Sequence, residues 1–237
     1  MPVEHQRYIS QHFSHVASPG TVRRNALFGL KHHRKYFPSN KDAAILEIGP
    51  GFGAMLECLR KVCGYTNIAA VDISPEVVES CNKVLPGSTV LAEDTAAFLK
   101  NRPNKFDLIL MFHILEHIPK DDIIPILEAV YGALRIGGNL IVEVPNIAHP
   151  ITGNYNRYHD FTHTVGFTDQ SLATVLRISG FQNLTIYGCR MPRTNPARFI
   201  QRSLQDVLEL FGALSLRIFL PSQPVNLATA IAVCANK

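Results

Sequence analysis

No stretch of this 237-residue chain approaches the roughly 20 consecutive apolar residues that a membrane-spanning helix requires. The N-terminal MPVEHQRYISQHF lacks the apolar core of a secretory leader, so no signal peptide is expected. No C-x-x-C pair occurs among Cys58, Cys63, Cys81, Cys189 and Cys234, and their number is odd. Buried, reduced thiols of a cytoplasmic protein are the simplest expectation. The net charge of +4 comes without a long Lys/Arg run, and no Asn-Pro-Pro-Tyr-like motif or added RNA-binding module is present. Nucleic acid is therefore not an expected partner. The densest basic patch, KHHRKYF (31–37), reads as a solvated helix end.

Repeats and low-complexity tracts are absent too. What remains is a chain with 46% hydrophobic residues and charges of both signs along its length. It can bury one large core, and residues 1–237 read as a single domain. Residues 1–40 look helical up to the break at Pro38 and Asn40. From there short apolar runs alternate with helical patterns. The strands are AAILEIG (43–49), NIAAVDIS (67–74), STVLAED (88–94), FDLILMFH (106–113) and NLIVEVPN (139–146). Between the last two lies the amphipathic IIPILEAVYGALRIGG, which Gly137 and Gly138 should close. This order predicts an α/β, doubly wound, mostly parallel sheet with helices on both faces. In such sheets ligands lie beyond the carboxyl ends of the strands.

The first strand ends in EIGPGFGA, where Glu47 precedes Gly49, Gly51 and Gly53. Glycines there allow a tight turn and close approach of a ligand to the backbone. The second strand ends in Asp72, a carboxylate able to accept hydrogen bonds from ribose hydroxyls. Together they favour a nucleoside cofactor over a plain turn and helix cap. Spacing alone leaves a nicotinamide enzyme open, because GPGFGA also satisfies G-x-G-x-x-G/A.

The ordered set ILEIGPGFG, VDIS, AEDTAAFL, FDLILMFHILEHI and LRIGGNLIVEVPN resembles the class I S-adenosylmethionine-dependent methyltransferases over residues 43–146. The resemblance implies a seven-stranded Rossmann-like sheet with an antiparallel last strand. Residues 41–190 and 225–237 would form the core, and 191–224 a helical insertion. It implies S-adenosylmethionine as cofactor and S-adenosylhomocysteine as product. Glu47, Gly49, Gly51 and Gly53 would surround the cofactor's amino-acid end. Asp72, with Ile73, would hold the ribose and Asp94, with Thr95, the adenine; His113 would lie near the sulfonium.

MFHILEHIP (111–119) also contains H-x-x-E-H, a zinc-site pattern. In the resembled fold His113 ends a strand and LEH begins the next turn, so the two histidines do not share one helix face. Pro119 opposes an uninterrupted helix, and no third ligand is marked. No metal is expected, and Glu116 and His117 read as pocket or packing residues.

Residues 146–167 form a long polar connection where 2–6 residues are usual, which marks a functional loop. RYHDFTHTVGFTDQSL, followed by LRISGF, resembles methyltransferases encoded with bacterial surface-polysaccharide genes. On that resemblance Asn146, Arg157, His159, Asp160, Thr162 and His163 are expected at a glycan or small-molecule acceptor site. A sugar hydroxyl benefits from a base, and an unperturbed histidine is mostly neutral at pH 7. His163 is the first choice, with Asp160 orienting it; His159 is second and His113 third. An anionic phosphate or phosphoramidate oxygen would need no base. The loop's polar content, taken as poor in aromatics, argues against a quinone or phenol. A cofactor-binding subunit without catalysis is the reading from another class. FQNLTIYGC (181–189) and NLATAIAVCAN (226–236) read as the last two strands. Between them, Phe199, Leu204, Val207, Leu208 and Phe211 form a helical apolar face beside several arginines. Packing on the core or in a homodimer is the first expectation, and a peripheral membrane contact the second.

Overall fold

The computed structural model describes residues 19–219 and 226–237, so the helical reading of residues 1–18 and the end of the insertion lie outside the described residues. The apolar runs become β1 (Ile45–Ile48), β2 (Ile68–Asp72), β3 (Thr89–Leu91), β4 (Phe106–Phe112) and β5 (Leu134–Pro145). Two further strands, β6 (Asn183–Cys189) and β7 (Ala230–Asn236), complete one sheet in the order β3-β2-β1-β4-β5-β7-β6. β1 to β5 pair in parallel, and β7 runs antiparallel to both β5 and β6. The seven-stranded, mostly parallel Rossmann-like fold is thus as expected.

The period of two along each strand divides the core between two faces. Leu46, Ile48, Ile109, Met111 and Val142 pack on one side with Leu127 and Leu172. Those last two belong to the helices α5 (Lys120–Ala133) and α7 (Asp169–Ile178). Ile45, Leu108, Leu110 and Ile141 pack on the other side with Leu59, Tyr65 and Leu30 of helix α1 (Pro19–His33). Strand order reverses between β1 and β4, and the crevice beyond their carboxyl ends is the topological switch point. The remaining connections contribute α2 (Ala54–Glu57), α3 (Pro75–Val84), α4 (Thr95–Lys100), α6 (Gly153–Tyr158) and α8 (Pro196–Phe219).

Three local expectations need correction. α5 stops at Ala133 rather than at Gly137 and Gly138, because Leu134 already pairs with Phe106. The two glycines instead serve the strand: Gly137 N donates to Lys237 O, and Lys237 N donates to Gly138 O. A Cβ at Gly138 would sit 2.9 Å from Arg135 O, next to the register shift between Phe106 and Leu108. The basic patch is not simply solvated, since His33 is buried and bonds Tyr187 Oη at 2.9 Å and Glu143 Oε2 at 2.7 Å. The third correction concerns α8, whose apolar face does not enter the core. Phe199, Leu204, Val207, Leu208 and Phe211 are all at least half exposed, while Arg202 is buried between Asp206 and Glu209. Arg190 and Arg193 likewise pair with Glu209 and Asp206.

All five cysteines are buried and unpaired, in line with the composition. Among the described residues no helix is long and apolar enough to cross a membrane.

Candidate active site

A cavity of about 620 Å³ opens at the carboxyl ends of β1, β2 and β4. Its wall begins with Ile48 and Gly49, continues through Asp72, Ile73 and Ser74, and then through Asp94 and Thr95. The three loop glycines all have positive φ: 69° at Gly49, 54° at Gly51 and 75° at Gly53. They do different work. A Cβ on Gly49 would lie 2.0 Å from Ile114 Cδ1, so this turn admits only glycine. A Cβ on Gly51 would meet nothing within 4 Å among the described residues. Gly53 packs against Cys81 of α3, and the Cys81 thiol donates to Gly51 O at 3.2 Å.

The carboxylates differ as well. Asp72 Oδ1 accepts the Ser74 amide at 2.7 Å, and burial raises its pKa to about 6 despite backbone hydrogen bonds that oppose the shift. Asp94 is exposed at the start of α4, where its Oδ1 accepts Ala97 N at 2.8 Å. Glu47 lies beneath the loop, fully buried, and desolvation raises it to about 8. Its Oε2 has no hydrogen-bond partner among the described residues. β3 stops at Leu91, so Asp94 sits at a helix cap and not at the strand end expected for it. A buried acceptor without a donor among the described residues, a glycine turn at the cavity and the carboxylates of Asp72 and Asp94 suit a cationic, ribose-bearing ligand.

β4 ends at Phe112, and the H-x-x-E-H stretch then turns sharply. His113 adopts φ 55°, and Leu115–His117 form a single 3-10 turn. The expected break between the two histidines is therefore real. His113 is about half exposed; its Nε2 lies 3.2 Å from Glu143 Oε1 and its Nδ1 3.4 Å from Glu116 Oε1. Burial opposes its charge, but the facing carboxylates of Glu116 and Glu143 outweigh that cost and lift its pKa to about 10. Burial also works against the charge of Glu143, yet His113 and His33 together hold it below the carboxylate range. The chain Tyr187–His33–Glu143–His113 had no signal in the sequence, because its members come from four distant segments.

His117 lines the cavity, and burial lowers its pKa. The start of α5, with Pro119, Asp122, Pro125 and Ile126, completes the wall, which sequence reasoning did not foresee. Only its position directly after β4 could have pointed to it.

The long loop folds back onto this turn. Asn146 and Phe167 form a parallel bridge, so the excursion begins and ends at one point. Within it Thr164 N donates to Glu116 O at 2.8 Å, and His117 Nδ1 lies 2.8 Å from Thr162 Oγ1. Thr162 Oγ1 donates to Asp160 Oδ1 at 2.6 Å. His163 is buried, with Nδ1 2.7 Å from Asn156 O and its ring edge-on to His117 at 4.7 Å. Asp160 Oδ2 lies 3.8 Å from His163 Nε2. His159 is exposed, stacked on Tyr155 and edge-on to His163. Arg157 donates to the carbonyls of His163 and Thr164, bracing the loop from within. Asn146 is buried, its amide donating to Asn226 O and Ala228 O. The loop is not poor in aromatics: Tyr155, Tyr158 and Phe161 are all exposed on it.

A family model described as a methyltransferase domain matches residues 23–186. A solved S-adenosylmethionine-dependent methyltransferase from Archaeoglobus fulgidus superimposes with a TM-score of 0.63 at 22% identity, covering 90% of this chain and 94% of that one. A Haemonchus contortus phosphoethanolamine N-methyltransferase solved with S-adenosylmethionine gives 0.63 at 15% identity, over 93% of this chain and 53% of that one. O-methyltransferase 3 of Dictyostelium discoideum is 25% identical over 61% of this chain, but over only 38% of its own length. With the model spanning most of the chain and the cofactor end of the sheet built as described, this protein belongs to the methyltransferase-domain family of S-adenosylmethionine-dependent enzymes.

Proposed function

We propose that the chain methylates a hydroxyl oxygen of a polar acceptor, a saccharide or sugar phosphate of surface-glycan biosynthesis. Bound S-adenosylmethionine supplies a methyl on a sulfonium: its S–C bond breaks as the O–C bond forms, the hydroxyl proton leaves, and S-adenosylhomocysteine departs. The protein's own tasks are to align the acceptor, exclude water and receive that proton. Asp72 and Asp94 are the groups for the ribose and adenine, and Glu47 and the Gly49–Gly53 turn for the amino-acid end.

One observation carries the acceptor assignment. The polar loop is pinned by Thr162 and Thr164 onto Glu116 and His117, and His117 is itself a wall of the cavity. A flexible excursion would carry no such bonds. Among the three histidines considered for the base, His113 is poorly suited, since its two carboxylates keep it cationic at neutral pH. It is better suited to facing a developing alkoxide. His163 remains the first candidate for the proton, supported by its position beside His117 and Asp160. The exposed Tyr155, Tyr158 and Phe161 offer apolar ring faces to a sugar. The curated relative, itself an O-methyltransferase by name, favours oxygen over nitrogen.

Incubation with methyl-labelled cofactor and extracts of surface-glycan precursors, followed by mass spectrometry, tests this. The expected product is a glycan heavier by one methyl and stable to base. Labelling of amines or phenols in place of sugars would reject the reading.

A further inference from the structure

We propose that Glu116, His117 and His163 form a binding site for a first-row divalent metal ion, set where the loop meets the cofactor cavity. One ligand atom from each lies within 4.8 Å of the other two. Small side-chain rotations would bring that spacing to metal–ligand bonds of roughly 2.0–2.2 Å. The H-x-x-E-H stretch alone supplies too few ligands, because both ring nitrogens of His113 are already taken up by Glu116 and Glu143. The loop supplies the third, 46 residues beyond His117, a juxtaposition only the fold creates.

Glu116 gives the independent reason to expect a cation. It is 2% exposed, and among the described residues its Oε2 meets no hydrogen-bond donor and its Oε1 none closer than the His113 ring. Its nearest cation is His113 Nδ1, at the looser distance of 3.4 Å. Burying a carboxylate without donors is costly unless a charge faces it. The second Glu/His grouping, His33 with Glu143 and Cys189, makes the contrast. There both carboxylate oxygens already meet imidazoles, and no ion is needed.

The outer contacts also suit metal-binding imidazoles. Thr162 gives its hydroxyl proton to Asp160 Oδ1, so its oxygen accepts from His117 Nδ1. Asn156 O can only accept, so His163 Nδ1 carries a proton as well. Both rings are thereby held in the tautomer that places a lone pair on Nε2. Metal-bound histidines characteristically show this arrangement of an outer acceptor fixing the ring. Two imidazoles and one carboxylate favour Mn2+, Co2+ or Zn2+ over Mg2+, which prefers an all-oxygen, partly hydrated shell. Three protein ligands leave open positions, and His117 puts them on the cavity wall. An acceptor hydroxyl bound there would lose its proton to water more readily, with the cation acting as Lewis acid. His163 would then hold the ion in place of receiving the proton. This role rests on the proposed O-methylation, but metal binding itself does not.

The test is titration of chelator-treated full-length protein with Co2+, in the absence of cofactor and acceptor, followed by visible absorption and by competition with Zn2+. One equivalent should produce d–d bands without the sulfur-to-cobalt charge transfer that the cysteines would give. Glu116→Gln and His163→Ala should each weaken binding at least tenfold. Thr162→Val, which removes only an outer acceptor, should weaken it roughly 10–100-fold while the circular dichroism spectrum stays native. Absence of the bands, a thiolate charge-transfer band, or equal Co2+ affinity in folded variants would overturn the site. Any of those results would leave the O-methyltransferase reading untouched. Conversely, metal binding without a methylated glycan would sink that reading and leave the site standing.

Discussion

The two halves of the active-site crevice are made from different materials. The half proposed to hold the cofactor is backbone: strand ends, a turn of three glycines at positive φ, Asp72 placed by β2 and Asp94 by the cap of α4. The half proposed to meet the acceptor is side chain on side chain, with His117 of the cavity wall joined to Thr162, Asp160 and His163 across 46 residues of sequence. A backbone-built pocket tolerates changes in side chains that merely pack around it, yet fails when its turn is altered. A side-chain network should show the opposite sensitivity.

Gly49→Ala should do the greatest damage. The new Cβ would meet Ile114 at 2.0 Å with φ at 69°. Overpacking of about 1–3 kcal/mol adds to about 1–2 kcal/mol for a left-handed residue with a side chain. Thermal denaturation should show a drop of several degrees, and cofactor binding should weaken with it. Gly51→Ala, which meets open space, should cost only the second amount. Equal losses in the two variants would break the distinction.

Asp72→Asn comes next, with a loss of about 1.5–3 kcal/mol in cofactor affinity, or roughly 10–100-fold. Burial raises the Asp72 carboxyl to about 6, so the ionised acceptor prevails only above that pH. Cofactor affinity should therefore rise from pH 5 to pH 7 in the wild type and stay flat in the variant, as read by calorimetry. For Glu47 the folded-state pKa is raised to about 8. Its contribution to stability is complete below about 4.5 and is lost as pH climbs through 8. Glu47→Gln should remove that slope from urea denaturation midpoints measured between pH 5 and 9.

Arg157→Ala should cost about 1–2 kcal/mol locally, since two carbonyl contacts disappear. The acceptor KM should rise while cofactor affinity stays constant. The smallest effect is expected on α8, where Leu208→Gln touches an exposed face and should change stability by less than about 0.5 kcal/mol. Gel filtration of that variant also tests whether the face mediates self-association.

The same contrast explains what the sequence made legible. Asp72 and the glycine turn announce themselves because strand period and turn chemistry are local, and the parallel order of β1 to β5 follows from alternation. The end of α5 is not legible, because Gly137 and Gly138 look like a helix stop while their use in the strand depends on Phe106 and Lys237, both distant. The buried role of His33 depends on Glu143 and Tyr187, again from remote segments. His163 stands out through its motif, and its neighbours Glu116 and His117 through another. That the two motifs meet is not legible, because nothing local encodes the return of the loop.

The division of labour has one direct test: calorimetric titration of S-adenosylmethionine into the wild type, Asp72→Asn and His163→Ala. The account predicts one site per chain, at least tenfold weaker in Asp72→Asn, with wild-type affinity but greatly slowed methyl transfer in His163→Ala. Undiminished affinity in Asp72→Asn, or loss of cofactor binding in a folded His163→Ala protein, would contradict it.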